Sequence, residues 1–311
     1  MQNTRTALIN ILNAEQVEPS GPAASMCEKI KARHQGRVQA LLYYGSSLRA
    51  MNDPSKMLDF YVIIDSYFKT HKNPIRAVLN ALIPPAVYYL ENENPDGSLS
   101  TCKYSVMSLT AFERRTTKKA FLSTTWGRFS QPCVLLFPKD KTIHSRIQNA
   151  RVNAILHMTS LTQPLVTTPI SAVHFWAKGF LQSYRTELRP ESSDSRSQEI
   201  VARYQDRYDK IMNILYGPAN AQGEYSFPQS SRLKAVACKW GWGLRRVLGK
   251  PMNAVRVLNS AFTFSGGIDY VLHKVKSHSG VTLEISEGQR RHPVLWSPVL
   301  AWKLYQRGAF K

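Results

Sequence analysis

Tyr43-Tyr44-Gly45-Ser46-Ser47, followed by Leu58-Asp59-Phe60, is the stretch on which the reading of the fold turns. An apolar, aromatic run over 38–44 stops at Gly-Ser-Ser and reads as a strand. A polar loop over 50–56 leads into Met57-Leu-Asp-Phe-Tyr-Val-Ile-Ile-Asp65, whose β-branched and aromatic residues read as a second strand. Twelve residues separate Ser46 from Asp59. Gly45 lets the backbone approach a polyphosphate closely. Ser46, Ser47 and the N–H groups of the turn can donate to phosphate oxygens. A carboxylate on the neighbouring strand, Asp59, can hold Mg²⁺, which bridges phosphates and offsets developing charge. The plainer alternative is a hairpin-like turn followed by a surface Asp.

Outward from this core, Val87-Tyr-Tyr-Leu90 and Lys103-Tyr-Ser-Val-Met107 read as third and fourth strands, separated by the turn cluster Asn92-Glu-Asn-Pro-Asp-Gly97. Ser108 or Thr110 is placed to cap a helix. Gln131-Pro-Cys-Val-Leu-Leu-Phe137 reads as a short extended segment. The first 40 residues look helical, broken at Pro19-Ser-Gly-Pro22. From Lys141 helical spacing dominates, over 142–158, 172–184 and 198–216, with 190–197 as a polar linker. Domain boundaries are expected near 140 and again near 217–229, giving 1–140, 141–220 and 221–311.

A strand, a Gly-Ser turn and an acid on the next strand resemble the DNA polymerase β-type nucleotidyltransferase fold. The fold class expected is therefore α+β: a mixed-sheet nucleotidyltransferase domain, a mostly helical domain and a basic C-terminal region. The usual second acid, two residues on, is here Tyr61. Asp65 shares the strand face but lies six residues away, roughly 20 Å at about 3.3 Å each, too far to share a metal. It suits a strand end.

The order of segments resembles the mitochondrial-type phosphatidate cytidylyltransferases, the translocator assembly and maintenance protein and its bacterial relatives. The matching pieces are Tyr44-Gly-Ser-Ser47, Leu58-Asp-Phe60, Lys72-Asn-Pro74, Ala86-Val-Tyr-Tyr89, Asp96-Gly97, Lys103-Tyr-Ser-Val106, Trp126-Gly-Arg-Phe129 and Gln131-Pro132, with weaker matches at Asn149-Ala-Arg151 and Ser183-Tyr184. The resemblance implies transfer of a cytidylyl group from CTP to phosphatidate, giving CDP-diacylglycerol for phosphatidylglycerol and cardiolipin synthesis, plus pyrophosphate, with Mg²⁺ required. It implies that Gly45, Ser46 and Ser47 cradle the triphosphate, Asp59 binds Mg²⁺, and Lys103 and Arg128 contact phosphate. The sequence departs from some members after Asn73-Pro74, where Ile75-Arg-Ala77 stands in place of His and Tyr. Without the resemblance, Lys103 reads as a solvated edge-strand cation, and Arg128 as a guanidinium stacked on an aromatic face beside Trp126.

Composition constrains the partners. The chain has 311 residues, with 41 Lys+Arg and 21 Asp+Glu, so 41 − 21 gives +20. That excess calls for an anionic partner: nucleotide, nucleic acid or acidic lipid. The hydrophobic fraction of 43% excludes a wholly disordered chain. Cys27, Cys102, Cys133 and Cys238 form no CxxC pair and read as reduced buried thiols. No run of about 18 apolar residues is present, so no spanning helix is expected. Nor is a signal or transit peptide evident, which suggests the cytoplasmic face of a bacterial inner membrane, or the matrix face in a mitochondrion.

Between Glu224 and Asp269 there is no acid, while Arg232, Lys234, Lys239, Arg245, Arg246, Lys250 and Arg256 stand there with Trp240 and Trp242. This pattern suits an anionic bilayer surface. Ser297-Pro298 reads as the start of a final interfacial helix carrying Trp302 and Tyr305. Two alternatives stand beside the lipid enzyme: a nucleotidyltransferase acting on RNA or protein, and a non-catalytic basic module binding membrane or nucleic acid.

Overall fold

The structure, a computed structural model, describes residues 2–45, 48, 53, 56–71, 73–94, 97–187, 193–260, 272, 275–276, 279–291 and 293–308. Two helices come first, α1 (Gln2–Ala14) and α2 (Gly21–Arg33), separated where the prolines stand. The strands follow as β1 (Val38–Tyr44), β2 (Leu58–Ile64), β3 (Ala86–Glu93), β4 (Leu99–Ser108) and β5 (Cys133–Pro138). They form one sheet in the order β3-β4-β2-β1-β5. β2 and β4 run parallel and every other pairing is antiparallel, so the sheet is mixed and the class is α+β, as expected.

Alternation along the strands divides the core in two. Leu58, Phe60, Val62 and Ile64 of β2, with Leu41 and Tyr43 of β1, pack under α2 and, beyond the single-turn α3 (Tyr67–Thr70), under α4 (Pro74–Leu82). Tyr61 and Ile63, with Leu42 and Tyr44, face the opposite layer. That layer is built from α1, α5 (Leu109–Arg115), α6 (Trp126–Phe129), α7 (Lys141–Thr162), α8 (Ala172–Tyr184), α10 (Gln205–Tyr216) and α11 (Arg232–Ser260). Its single apolar cluster runs from Leu8 to Trp242.

Local chemistry sets the helix starts. Ser108 accepts from the Ala111 N–H and opens α5, Asp140 accepts from Ile143 and opens α7, and Ser171 accepts from His174 and opens α8. The helix expected over 198–216 is two. Tyr204, at φ −123° and ψ 37°, leaves helical geometry between α9 (Ser193–Arg203) and α10. The polar linker expected over 190–197 is already helical from Ser193, where Glu199 pairs with Arg196 at 3.0 Å and with Arg203, local ion pairs that support a polar helix. The short α12 (Glu287–Arg291) precedes the last helix, α13 (Pro293–Gln306). α13 starts at Pro293 rather than at Ser297-Pro298, because Pro293 already supplies the fixed φ that suits a first helical position.

A buried ionic knot fastens α1 to the helical layer. Glu15 accepts from Arg151 at 2.9 Å and from Arg207, while Arg207 also donates to the Ser130 carbonyl at 3.0 Å. Arg151 has no exposed surface and Arg207 is buried. The Asn149-Ala-Arg151 piece is thus structural: Asn149 accepts from Arg5 and Arg151 holds Glu15. All four cysteines are buried and free.

Candidate functional site

β1 ends and β2 begins at the same end of the sheet, and the described part of the turn between them starts at Gly45. Gly45 has φ +88°, a backbone that other residues enter at a cost of roughly 1–2 kcal/mol. A Cβ there would lie 2.8 Å from Asp59 Oδ2. The turn therefore needs glycine twice, once for its backbone and once because the Asp59 carboxylate lies against it. Gly45 and Asp59, fourteen residues apart in sequence, are in this way brought together. Ser46, Ser47, Lys72 and Asp96 lie outside the described residues.

Parallel register sets Asp59 of β2 opposite Lys103 of β4. Lys103 Nζ lies 3.2 Å from Asp59 Oδ1, with the carboxylate buried and the lysine half-exposed. Lys103 is an ion-pair partner of the candidate acid rather than a solvated edge cation.

Arg128 arrives on α6. Trp126 and Phe129 are buried, Gly127 lets the helix approach the Ser183 hydroxyl, and Tyr184 donates to Gln131 at 3.1 Å. The pieces Trp126–Phe129, Gln131 and Ser183-Tyr184 thus meet in one place. The Arg128 guanidinium stacks on Tyr44, 4.8 Å from the ring centre, and not on Trp126 beside it in sequence. Burial works against the Arg128 charge, but Tyr44, Glu187, Tyr61 and Asp59 nearby outweigh it and hold its pKa above the ordinary value.

Behind Asp59 on the same face of β2 sits Tyr61, whose ring meets Tyr44 at 5.8 Å and Phe129 at 4.9 Å. Burial pushes its phenol up, with Tyr44 adding to the rise; Arg128, Arg256 and Arg115 oppose it. Lys103 thus pairs with Asp59 and Arg128 stacks on Tyr44, while the charges of Arg115 and Arg256 reach Tyr61 from further off. Among the described residues no carboxylate lies within ion-pair distance of Arg115, Arg128 or Arg256. Sequence reading missed Arg115 altogether and set Arg256 on an outer surface. Neither carries a local pattern that announces its nearness to Tyr61.

Among the described residues no group of three or more His, Cys, Asp or Glu is assembled to hold a metal. Asp65 closes the far end of β2, accepting from the Ser66 N–H and pairing with Arg37 at 3.1 Å. Asp59 brings a single carboxylate to the Gly45 turn. This donor set fits a Mg²⁺ that arrives on nucleotide phosphates, since such ions take one or two carboxylates and complete their shell with phosphate and water. It does not fit one held by protein side chains alone. Asn73 caps α4, accepting from Ile75 at 2.9 Å and Arg76 at 3.2 Å, so the described part of the Lys72-Asn-Pro74 piece is a helix start.

The C-terminal basic stretch divides in two. Along α11, Leu233, Val236, Trp240, Leu244, Val247, Leu248 and Val255 are exposed, Trp240 at 77%. They form an apolar stripe from Leu233 to Val255, 22 steps along the helix or about 33 Å at 1.5 Å each. Arg232, Lys234, Lys239 and Lys250 are exposed beside it. Trp242, at 1% exposure, packs instead on Trp126 at 5.6 Å and donates to the Leu161 carbonyl. Arg245 is buried too, stacked on Phe121 and donating to its carbonyl at 2.8 Å. The expectation of an interfacial role therefore fits Trp240 and not Trp242 or Arg245. In α13, Trp302 and Tyr305 are exposed, while Leu300 and Leu304 pack into a small separate cluster. Among the described residues no helix is long and apolar enough to cross a membrane.

No protein-family model matches the chain, and no curated protein matches its sequence.

Proposed function

We propose that the protein is a CTP:phosphatidate cytidylyltransferase that works at the surface of an anionic membrane. The observation that carries this reading is the Asp59 carboxylate, set against Gly45 and paired with Lys103, with the Arg128 guanidinium stacked on Tyr44, the residue before Gly45. Two cations beside a glycine turn and a carboxylate suit a polyanion that brings its own metal ion. In the reaction, an anionic oxygen of the lipid phosphate attacks the α-phosphorus of CTP. The bond from that phosphorus to the α–β bridging oxygen breaks, and pyrophosphate leaves. The nucleophile is already charged, so no general base is needed. Gly45 lets the turn close on the triphosphate, and Lys103 and Arg128 balance its charge. Asp59 would hold the Mg²⁺ that accompanies the nucleotide, whose chemistry there is charge neutralisation.

The stripe of α11 supports the membrane assignment. An apolar face flanked by lysine and arginine suits acidic lipid, whereas a strand of nucleic acid asks for stacking aromatics, of which the stripe has one. Labelled CTP, Mg²⁺ and phosphatidate-containing vesicles are expected to yield a chloroform-soluble product that EDTA abolishes. Replacing Trp240, Leu244 and Val247 together by Ser is expected to reduce pelleting with phosphatidylglycerol vesicles at least tenfold while CTP binding persists. Label on added RNA or protein would keep the nucleotide site and change the acceptor. Transfer to nothing would leave a binding module.

A further inference from the structure

A cavity of about 740 Å³ lies between the end of α5 and the C-terminal half of α7, within the roughly 300–1,000 Å³ of small-molecule sites. Arg114, Lys118 and Lys119 line one wall, and Leu156, His157 and Ser160 of α7 line the other. Glu113 also lines it, but its two oxygens accept from Arg146 at 2.7 Å each. Among the described residues no carboxylate lies within ion-pair distance of Arg114, Lys118 or Lys119. The cavity is therefore cationic. His157 is 9% exposed, and its Nε2 is buried with no partner. Burial, with the Arg245 charge adding, pushes its pKa down to about 4, so at neutral pH it is an uncharged imidazole with one N–H to donate.

Both walls of the cavity reach α11 within two residues. Ser160 precedes Leu161, whose carbonyl accepts from Cys238 Sγ and from the Trp242 indole, each at 3.2 Å. Lys119 stands two residues before Phe121, whose carbonyl accepts from Arg245 Nε at 2.8 Å and whose half-exposed ring lies under the same guanidinium. At about 100° per residue, Arg232, Lys239 and Lys250 fall about 60–80° from Trp242 on one flank of the helix. On the other flank, where Arg245 meets Phe121, Lys234 is the one exposed cation of α11. A helix lying on acidic lipid gains from cations along both edges of its apolar face. Arg114, Lys118 and Lys119 supply them on the edge that α11 leaves nearly bare.

We propose that this cavity takes the headgroup of an anionic phospholipid of the bilayer on which α11 lies, its phosphate held by Arg114, Lys118 and Lys119. The apolar stripe then gives the membrane contact its area, and the cavity gives it a preference for anionic headgroups. This rests on the reading that α11 lies on acidic lipid and is independent of the cytidylyl chemistry.

The experiment uses the full chain and three variants, each checked by circular dichroism and thermal melting. Lys118→Gln with Lys119→Gln removes two cations of the cavity. Lys139→Gln with Lys141→Gln removes the same charge about 18 Å away along α7. Ser160→Phe fills the cavity and keeps every charge. In one arm, pelleting is measured with vesicles of phosphatidylglycerol and phosphatidylcholine. The Lys118–Lys119 variant is expected to bind at least tenfold more weakly, Ser160→Phe at least fivefold and the control pair less than threefold. An equal fall for the two lysine pairs, or parental binding by Ser160→Phe, overturns the proposal. In the second arm, dihexanoyl phosphatidylglycerol below its micellar concentration, and inorganic phosphate, are titrated by calorimetry. The wild type is expected to bind the lipid at least tenfold more tightly than it binds phosphate, and Ser160→Phe to lose that binding. Equal affinity for phosphate overturns the assignment to lipid. If Ser160→Phe does not fold, Leu156→Phe narrows the same cavity and is expected to give the same loss. If the wild type pellets with no vesicle, the membrane reading fails and calorimetry alone decides: lipid binding lost in Ser160→Phe upholds the site, and lipid binding absent or unchanged overturns it. If replacing Trp240, Leu244 and Val247 abolishes pelleting and the cavity variants keep it, the membrane reading stands and this proposal falls.

Discussion

Replacing Asp59 by Asn is expected to cut cytidylyl transfer at least about a thousandfold, equivalent to about 4 kcal/mol of transition-state stabilisation, while the protein stays folded. The substitution keeps the shape of the side chain against Gly45 and removes its charge, so Mg²⁺ would lose its protein carboxylate. The stability effect is expected to be small. The Asp59–Lys103 pair is half-exposed on the lysine side, and such pairs contribute at most about 1 kcal/mol. Rate and melting temperature of the same preparation separate the two effects. Transfer at the parental rate would remove Asp59 from the site.

The second large effect concerns stability. Glu15→Gln leaves Arg151 and Arg207 buried around a neutral amide, and breaking a buried pair in this way costs about 3–5 kcal/mol. The melting temperature is expected to fall by about 5–15 °C. The sign of the pH dependence follows from the carboxyl itself. Burial raises the pKa of Glu15, but the charges and hydrogen bonds of Arg207 and Arg151 outweigh it and hold the pKa below the ordinary 4.5. A depressed carboxylate stabilises the fold above its unfolded pKa and loses that contribution as pH falls through the folded one. The gap between parent and variant is therefore expected at full size near neutrality and to close once pH drops well below 4.5. Thermal melts of both proteins across that range measure it, and a gap independent of pH would contradict the assignment.

The five-stranded sheet was legible because each strand is a short β-branched or aromatic run ending in a turn residue, and the Gly45–Asp59 relation was legible because a glycine ends one strand and an acid opens the next, which antiparallel pairing brings to the same end of the sheet. The rest depended on contacts over long separations. Arg256 donates to Thr124 and Arg245 to the Phe121 carbonyl, 132 and 124 residues earlier in the chain, and no periodicity records that. Arg128 stacks on a tyrosine 84 residues before it rather than on its neighbour. Part of what was missed was nonetheless in the sequence. Trp240 and Trp242 are two helical positions apart, about 200° around the axis, so they cannot share a face. The charge of +20 likewise overstates the outer surface, because Arg151, Arg207, Arg245 and Arg256 are spent inside the fold.

The ionic knot at Glu15 has a consequence for biosynthesis. The partners of that carboxylate lie 136 and 192 residues further along the chain. At roughly 5–20 residues per second, the second partner is made roughly 10–40 s after the first helix. Through that interval α1 has its apolar side, Leu8 and Leu12, and an acid with no counter-charge, and β1 waits for β5, about 90 residues later. A segment made long before its partners finds its place only after them, so α1 is exposed to chaperones and proteases through that interval.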